Sequence, residues 1–207
     1  ARLTSEIGRV LRPLIEEMAK QGAVHALEPS TGIGRLIRSV SSADEDLVRW
    51  HAVELSPLSA QMLGALRPDV DLYQMPFERW VYDHGGQWAG QLRLVVANPP
   101  FYPDGWGRRS TDPRQAARTH ALHGDVADFA ACAAAALAPH GRCGMVFDAG
   151  HLPALLHAMG AEGLRPEHCL ARHLGALQTA ALADGANALL KQQVAKLSRQ
   201  TTTTTEG

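Results

Sequence analysis

The sequence predicts an α/β protein on a mainly parallel sheet with helices on both faces, and three stretches carry that prediction. The first is an apolar strand, Val24 to Leu27, running straight into Glu28-Pro29-Ser30-Thr31-Gly32-Ile33-Gly34-Arg35 and a short helix through Val40. A glycine-containing turn between strand and helix lets backbone amides approach a nucleotide-like ligand closely. The second is a strand from Trp50 to Val53 that ends on Glu54, about 20 residues past Gly34, where a carboxylate can accept ribose hydroxyl hydrogens. The third is Leu94 to Ala97, an unbroken apolar run closed by Asn98-Pro99-Pro100-Phe101-Tyr102. Such a run suits the middle of a covered sheet. Two prolines cannot extend the ladder, so the chain must leave the sheet there with the Asn98 side chain and the Pro99 carbonyl free to face a crevice.

The 207 residues suit one ordinary domain, and 45% apolar with 20% charged residues are globular values. No apolar run approaches a membrane span and no secretory signal is visible, so no membrane partner is expected and a cytoplasmic location is the simple reading. Cys132, Cys143 and Cys169 form no short-spaced pair, which suggests neither a disulfide framework nor a zinc knuckle. His120 and His123 stand three apart without a third ligand at useful spacing, so no metal is expected. The net charge of -1 argues against a general polyanion binder but leaves room for a local basic patch. The first residue is Ala1, and the expectation includes a piece of a larger polypeptide or complex.

In chain order, Ile7, Val10, Leu11, Leu14, Ile15 and Met18 mark one helix face, with Pro13 expected to kink or divide it. Pro57 to Leu66 read as a helix opened by an allowed first-turn proline, and Val70 to Tyr73 as a short strand. Phe77 can offer an apolar face to a ligand or pack in the core; His84-Gly85-Gly86-Gln87 is expected to be a loop. After Tyr102, a glycine-rich stretch carries Trp106, Arg108, Arg109, Arg114 and Arg118, the mixture of charge and stacking that grips a nucleic acid strand. Val126 to Leu137 read as a small-faced helix, Pro139-His140-Gly141 as a turn, Arg142 to Phe147 as a strand, His151 to Gly160 as a helix and Glu167 to Arg172 as a last strand. Ala176 to Ser198 carry helix formers, and Thr201 to Thr205 are low complexity.

Two of these motifs together resemble S-adenosylmethionine-dependent amino-methyltransferases of the Asn-Pro-Pro-Phe type, whose members modify adenine, cytosine or a glutamine side chain. The octet from Glu28 looks like the Glu-Pro-Ser-Ala-Gly-Ile-Gly-Arg form of the family's cofactor loop, with Thr31 in place of Ala. The resemblance covers roughly residues 1 to 172. It implies a Rossmann-like class I fold with seven strands, with an N-terminal helical segment over 1–22 and a catalytic domain over 23–175; from Leu174 onward the resemblance fails, and composition there predicts a helical or disordered tail over 176–207. It implies S-adenosylmethionine as cofactor, held by Glu28, Pro29, Ser30, Gly32, Gly34, Glu54, Leu55, Phe77 and Asn98. Catalysis falls to Asn98, Pro99, Pro100 and Phe101, and Tyr102, Trp106, Arg108 and Arg109 would meet the substrate.

The implied reaction is methylation of adenine N6 in nucleic acid. The octet and Val53-Glu54-Leu55-Ser56-Pro57 look more like the DNA-modifying branch, whereas Arg114-Gln115-Ala116-Ala117-Arg118 looks like the bacterial tRNA-adenine branch, so DNA is favoured slightly. A protein glutamine N5-methyltransferase and a catalytically decayed binding subunit are the alternatives. The intact Asn98 speaks against the latter.

Overall fold

In the computed structural model, residues 2–40, 47–99 and 125–167 are described. The chain divides into two compact units, one of Ala1–Pro99 with Cys132–Val146 and the other of Pro100–Ala131 with Phe147–Gly207. The first unit carries the sheet. Its elements are α1 (Arg2–Ala19), β1 (Val24–Pro29), α2 (Arg35–Val40), β2 (Val48–Val53), α3 (Pro57–Leu66), β3 (Asp71–Tyr73), α4 (Phe77–Trp88) and β4 (Leu92–Ala97). The helix α5 (Val126–Ala136) then leads directly into β5 (Leu137–Met145).

The strand order is β3-β2-β1-β4-β5 and every pairing is parallel. The chain therefore winds outward from β1 to β3, returns to lay β4 on the other side of β1, and continues outward to β5. This doubly wound arrangement is Rossmann-like. Its reversal of winding direction falls between β1 and β4, the place where open α/β sheets leave a crevice beyond the strand ends. Five strands are present among the described residues; the last strand expected, Glu167 to Arg172, lies outside them except for Glu167 itself.

Side chains alternate across the sheet, and both faces are covered. On one, Val24, Ala26, Val48, Trp50, Ala52, Leu94 and Val96 join Leu11, Ile15 and Met18 of α1, Leu36, Ile37 and Val40 of α2, and Leu63 of α3 in one core cluster. The opposite face is aromatic: the Trp88 ring of α4 lies 4.1 Å from that of His51 and 5.3 Å from that of His25. His25 Nδ1 and His51 Nε2, from neighbouring strands, stand 3.2 Å apart and share one hydrogen. Burial drives the His51 pKa down to about 4, so the His51 ring is neutral.

Three expectations need correction. Pro13 does not divide α1, which runs unbroken from Arg2 to Ala19. The proline is exposed, so the carbonyl it deprives of a hydrogen bond belongs to the solvent side of the helix. Residues His84 to Gln87 form no loop but the last turns of α4. The helical propensity lost at Gly85 and Gly86 is offset because Trp80, His84 and Trp88, spaced by four, bring one continuous face onto Tyr73 and His51. Finally, β5 begins at Leu137 rather than Arg142, and Pro139-His140-Gly141 sit inside it as an irregularity. Leu92 pairs with Leu137 but Leu94 with Arg142, so the extra residues bulge out, with His140 at φ 64° absorbing the reversal.

Arg93 of β4 ties down the end of α1. Its guanidinium donates to the Met18 carbonyl at 2.6 Å, the Gly22 carbonyl at 3.3 Å and Gln21 Oε1 at 3.1 Å, satisfying carbonyls that a helix terminus leaves without partners.

In the second unit, Asp125 caps α5 by accepting from the amides of Ala127 and Asp128 at 2.8 and 3.1 Å, and Asp128 reciprocates by accepting from the Asp125 amide at 2.9 Å. A single 3-10 turn, Ala149–His151, precedes α6 (Leu152–Ala161), whose Leu152, Leu155, Ala158 and Met159 are buried.

Candidate active site at the carboxyl edge of the sheet

The three stretches that opened the sequence reading leave adjacent strands at one edge. Pro29 pairs in register with Val53, and Leu27 with Val95, so the ends of β1, β2 and β4 are level. Neighbouring strands stand about 5 Å apart. The glycine turn, Glu54 and Asn98 therefore emerge side by side, with the turn and Asn98 flanking the point where the winding reverses.

The turn departs from the sheet through backbone that few residues adopt. Ser30, Gly32 and Gly34 have φ of 61°, 58° and 70°, which glycine reaches freely and serine only at a cost. A Cβ on Gly32 would have nothing within 4 Å, so the space above that residue is open; a Cβ on Gly34 would stand 2.5 Å from Leu63 Cδ1. The two glycines thus serve different ends. Gly34 lets α2 settle against α3, and Gly32 presents bare backbone to the open side.

Two acids hold the turn in this shape. Glu54, only 9% exposed, accepts from the Gly32 amide at 2.6 Å with one oxygen and from the Ser56 amide at 2.7 Å with the other. Each carboxylate oxygen has a second acceptor direction, so a ribose hydroxyl can still be received. Glu28 is more deeply buried, and its Oε2 accepts from Thr31 Oγ1 at 2.8 Å and from the Ile37 amide at 3.3 Å. Burial pushes its pKa up to about 8, against the pull of those two hydrogen bonds and with a further push from Glu54. The Thr31 amide donates to the Val53 carbonyl at 2.9 Å, sewing the turn to β2. Thr31 was not among the expected site residues. Its hydroxyl lies three positions after a strand-end acid, a spacing that signals such a local clamp.

Around this turn the other expected residues divide. Leu55 is 47% exposed beside Glu54, and Ser56 caps α3 through a bond from the Ser59 amide at 3.4 Å. Phe77 is buried and stacked on Trp80, with ring centres 6.1 Å apart. Pro29 is buried at the end of β1 and Ser30 is exposed. Asn98 is exposed directly after the fully buried Ala97, whose carbonyl accepts from the Val146 amide at 2.8 Å, and Pro99 is buried. Pro100, Phe101, Tyr102, Trp106, Arg108 and Arg109 lie outside the described residues, as do Arg114, Arg118, His120 and His123. Among the described residues no three His, Cys, Asp or Glu side chains are grouped to hold a metal ion, and no helix is long and apolar enough to cross a membrane.

A level carboxyl edge at a winding reversal, open backbone at Gly32 and an acid at the end of β2 make up the candidate site of this doubly wound sheet. No family model and no curated protein matches the chain. Solved structures with a similar course include several methyltransferases. Human methyltransferase-like protein 13, solved in complex with SAH, is 17% identical over 86% of this chain and 87% of its own, with a TM-score of 0.47. TrmN from Thermus thermophilus is 19% identical over 79% of this chain and 43% of its own, with a TM-score of 0.46. An arsenic(III) S-adenosylmethionine methyltransferase from Chlamydomonas reinhardtii is 15% identical over 59% of this chain, with a TM-score of 0.37, and this chain spans 38% of it.

Proposed function

We propose that this chain transfers a methyl group from S-adenosylmethionine to the exocyclic N6 amine of adenine in nucleic acid, with DNA favoured over tRNA. The observation that carries the reading is the exposed Asn98 at the end of β4, one strand from the open glycine turn. The residues present fit the cofactor. Bare backbone at Gly32 and the free acceptor directions of Glu54 suit a ribose, and exposed Leu55 offers an apolar wall beside it.

The cofactor supplies a methyl group on a positively charged sulfur. The chain's task is geometric, since adenine's amine shares its lone pair with the ring and is a weak nucleophile. Asn98 Oδ1 and the Pro99 carbonyl accept the two amine hydrogens, which draws the nitrogen toward tetrahedral geometry and aims its lone pair outward. Phe101 and Tyr102 stack on the base once it has left its helix or loop. Bound there, the cofactor would supply the methyl group and retain the bonding pair on its sulfur, and the amine's surplus proton would pass to water. Positioning and charge stabilisation suffice without a strong base. The segment Arg114 to Arg118 supports tRNA as the second reading.

The test is direct. Labelled S-adenosylmethionine is incubated with the protein and, separately, duplex DNA, unmodified tRNA and a protein extract, and the labelled product is identified after digestion. N6-methyladenine from DNA is expected. Label in RNA alone overturns the preference for DNA, and methyl-glutamine overturns the nucleic-acid reading.

A further inference from the structure

Between Pro29 and Arg35 the turn carries two hydroxyl side chains, and the fold treats them in opposite ways: Ser30 is exposed, whereas Thr31 is only 5% exposed. A hydroxyl leaves water at little cost only where the protein replaces its hydrogen bonds. The Thr31 hydroxyl donates to Glu28 Oε2 at 2.8 Å. Its amide donates to the Val53 carbonyl at 2.9 Å, and its own carbonyl accepts from the Gly34 amide at 3.0 Å. One residue is thus tied to β1 by its side chain, to β2 by its amide and to the end of the turn by its carbonyl.

This anchoring bears on the neighbour that meets the open side. Ser30 and Gly32, on either side of Thr31, both lie in the left-handed region, at φ 61° and 58°. Reversals so close together keep one shape only where the surrounding bonds over-determine it. The Gly32 amide belongs to the planar peptide group that begins at the Thr31 carbonyl, so holding that carbonyl sets the direction of the amide. The amide donates to Glu54 Oε2 at 2.6 Å, while Glu54 Oε1 accepts from the Ser56 amide at 2.7 Å. The setting of Glu54, the acceptor proposed for a ribose hydroxyl, therefore depends on a side chain nearly closed to solvent. Glu28 Oε2 also accepts from the Ile37 amide of α2 at 3.3 Å. Removing the Thr31 hydroxyl leaves this buried oxygen short of one partner and cuts the side-chain tie between the turn and β1.

We infer that Thr31 is a positioning residue for the cofactor: its hydroxyl, by holding Glu28, keeps the Gly32 amide on Glu54 and so keeps Glu54 set to receive the ribose. Thr31 itself makes no contact with the ligand. Its contribution is complete before transfer begins, so its loss weakens binding and leaves the transfer step unchanged. The ribose is common to S-adenosylmethionine and S-adenosylhomocysteine, and both lose affinity together. The inference rests on the cofactor half of the proposed function and is independent of which amine is methylated.

Three variants test it. Thr31→Val keeps the shape and removes the hydroxyl, Thr31→Ala removes hydroxyl and methyl, and Thr31→Ser keeps the hydroxyl. Calorimetry gives the affinity for S-adenosylmethionine and for S-adenosylhomocysteine, a melt without ligand gives stability, and steady-state methylation of the acceptor that the parent modifies gives the cofactor KM and kcat. The valine and alanine variants should bind both ligands about tenfold more weakly, with the cofactor KM rising in step and kcat within about twofold of the parent; the serine variant should stay within about twofold in affinity. Two hydroxyl-free variants keep the comparison open if one of them does not fold. Lowered melts with unchanged affinities overturn the inference, because Thr31 then serves the fold alone. A serine variant as weak as the valine variant also overturns it, because the hydroxyl is then not the group that matters. If the parent binds neither ligand, the cofactor half of the proposed function falls, and the positioning role with it.

Discussion

Replacing Glu28 by glutamine should make the protein more stable at pH 8 and less stable near pH 4. The carboxyl group is 3% exposed, and burial holds its pKa near 8 against 4.5 for a free glutamate. In the unfolded chain it ionises above pH 4.5; in the folded chain it keeps its proton until about pH 8. Over that window the folded state binds more protons than the unfolded state, so wild-type stability falls as pH rises. At about 1.4 kcal/mol per pKa unit, the penalty at pH 8 is on the order of 5 kcal/mol.

Glutamine keeps a carbonyl oxygen for the Thr31 hydroxyl and the Ile37 amide, which now reach Glu28 at 2.8 and 3.3 Å. Losing one acceptor oxygen and adding an amide donor takes back about 1 to 3 kcal/mol. A net gain of about 2 to 4 kcal/mol remains, or about 4 to 16 °C in Tm for a chain of this size. Urea unfolding of both proteins at half-unit steps from pH 4.5 to 8.5 measures it. Parallel stability curves, or a variant weaker than wild type at pH 8, would refute the argument from burial.

Four other outcomes are expected. Asn98→Ala should lower methyl transfer by about 100-fold or more while cofactor affinity, read by calorimetry, stays within a few-fold, because the side chain is assigned to the amine. Buried His51 acts opposite to Glu28: its folded pKa near 4 lies below the ordinary 6.5, so it withdraws about 3 kcal/mol of stability as pH falls from 6.5 to 4. His51→Gln should flatten the acid limb of the urea midpoint curve; an unaltered limb would remove His51 from acid unfolding. Gly34→Ala should cost about 2 to 4 kcal/mol, since the new methyl meets Leu63 at 2.5 Å in a left-handed conformation, and it should weaken cofactor binding. Gly32→Ala carries only the backbone strain, about 1 kcal/mol, so a thermal melt should rank the two substitutions in that order.

Where local chemistry dictates conformation, the sequence was readable. Pro57 at an allowed first turn places α3 at Pro57–Leu66, and the apolar runs at Val24, Trp50 and Leu94 are strands. Their convergence followed from the polar group closing each run. Helix α4 was missed because Gly85 and Gly86 look like a break until Trp80 and Trp88 are seen to find ring partners across the sheet, which propensity alone does not reveal. Pro13 leaves α1 undivided for the converse reason: a single lost hydrogen bond on an exposed side is outweighed by Leu11 and Ile15 in the core. The clamp of Thr31 on Glu28 went unread because an acid after a strand suggests a ligand contact before it suggests a buried group. The aromatic and arginine residues expected beyond Pro99 fall outside the described part of the chain.

Because Gly8 leaves no room for a methyl group against the Ser39 carbonyl, the segment upstream of β1 is the lid of the sheet's first face rather than an appendage. Shortening the protein to begin at β1 would bare Val24, Trp50 and Leu94 to water, and one added carbon at Gly8 would pry the same lid loose.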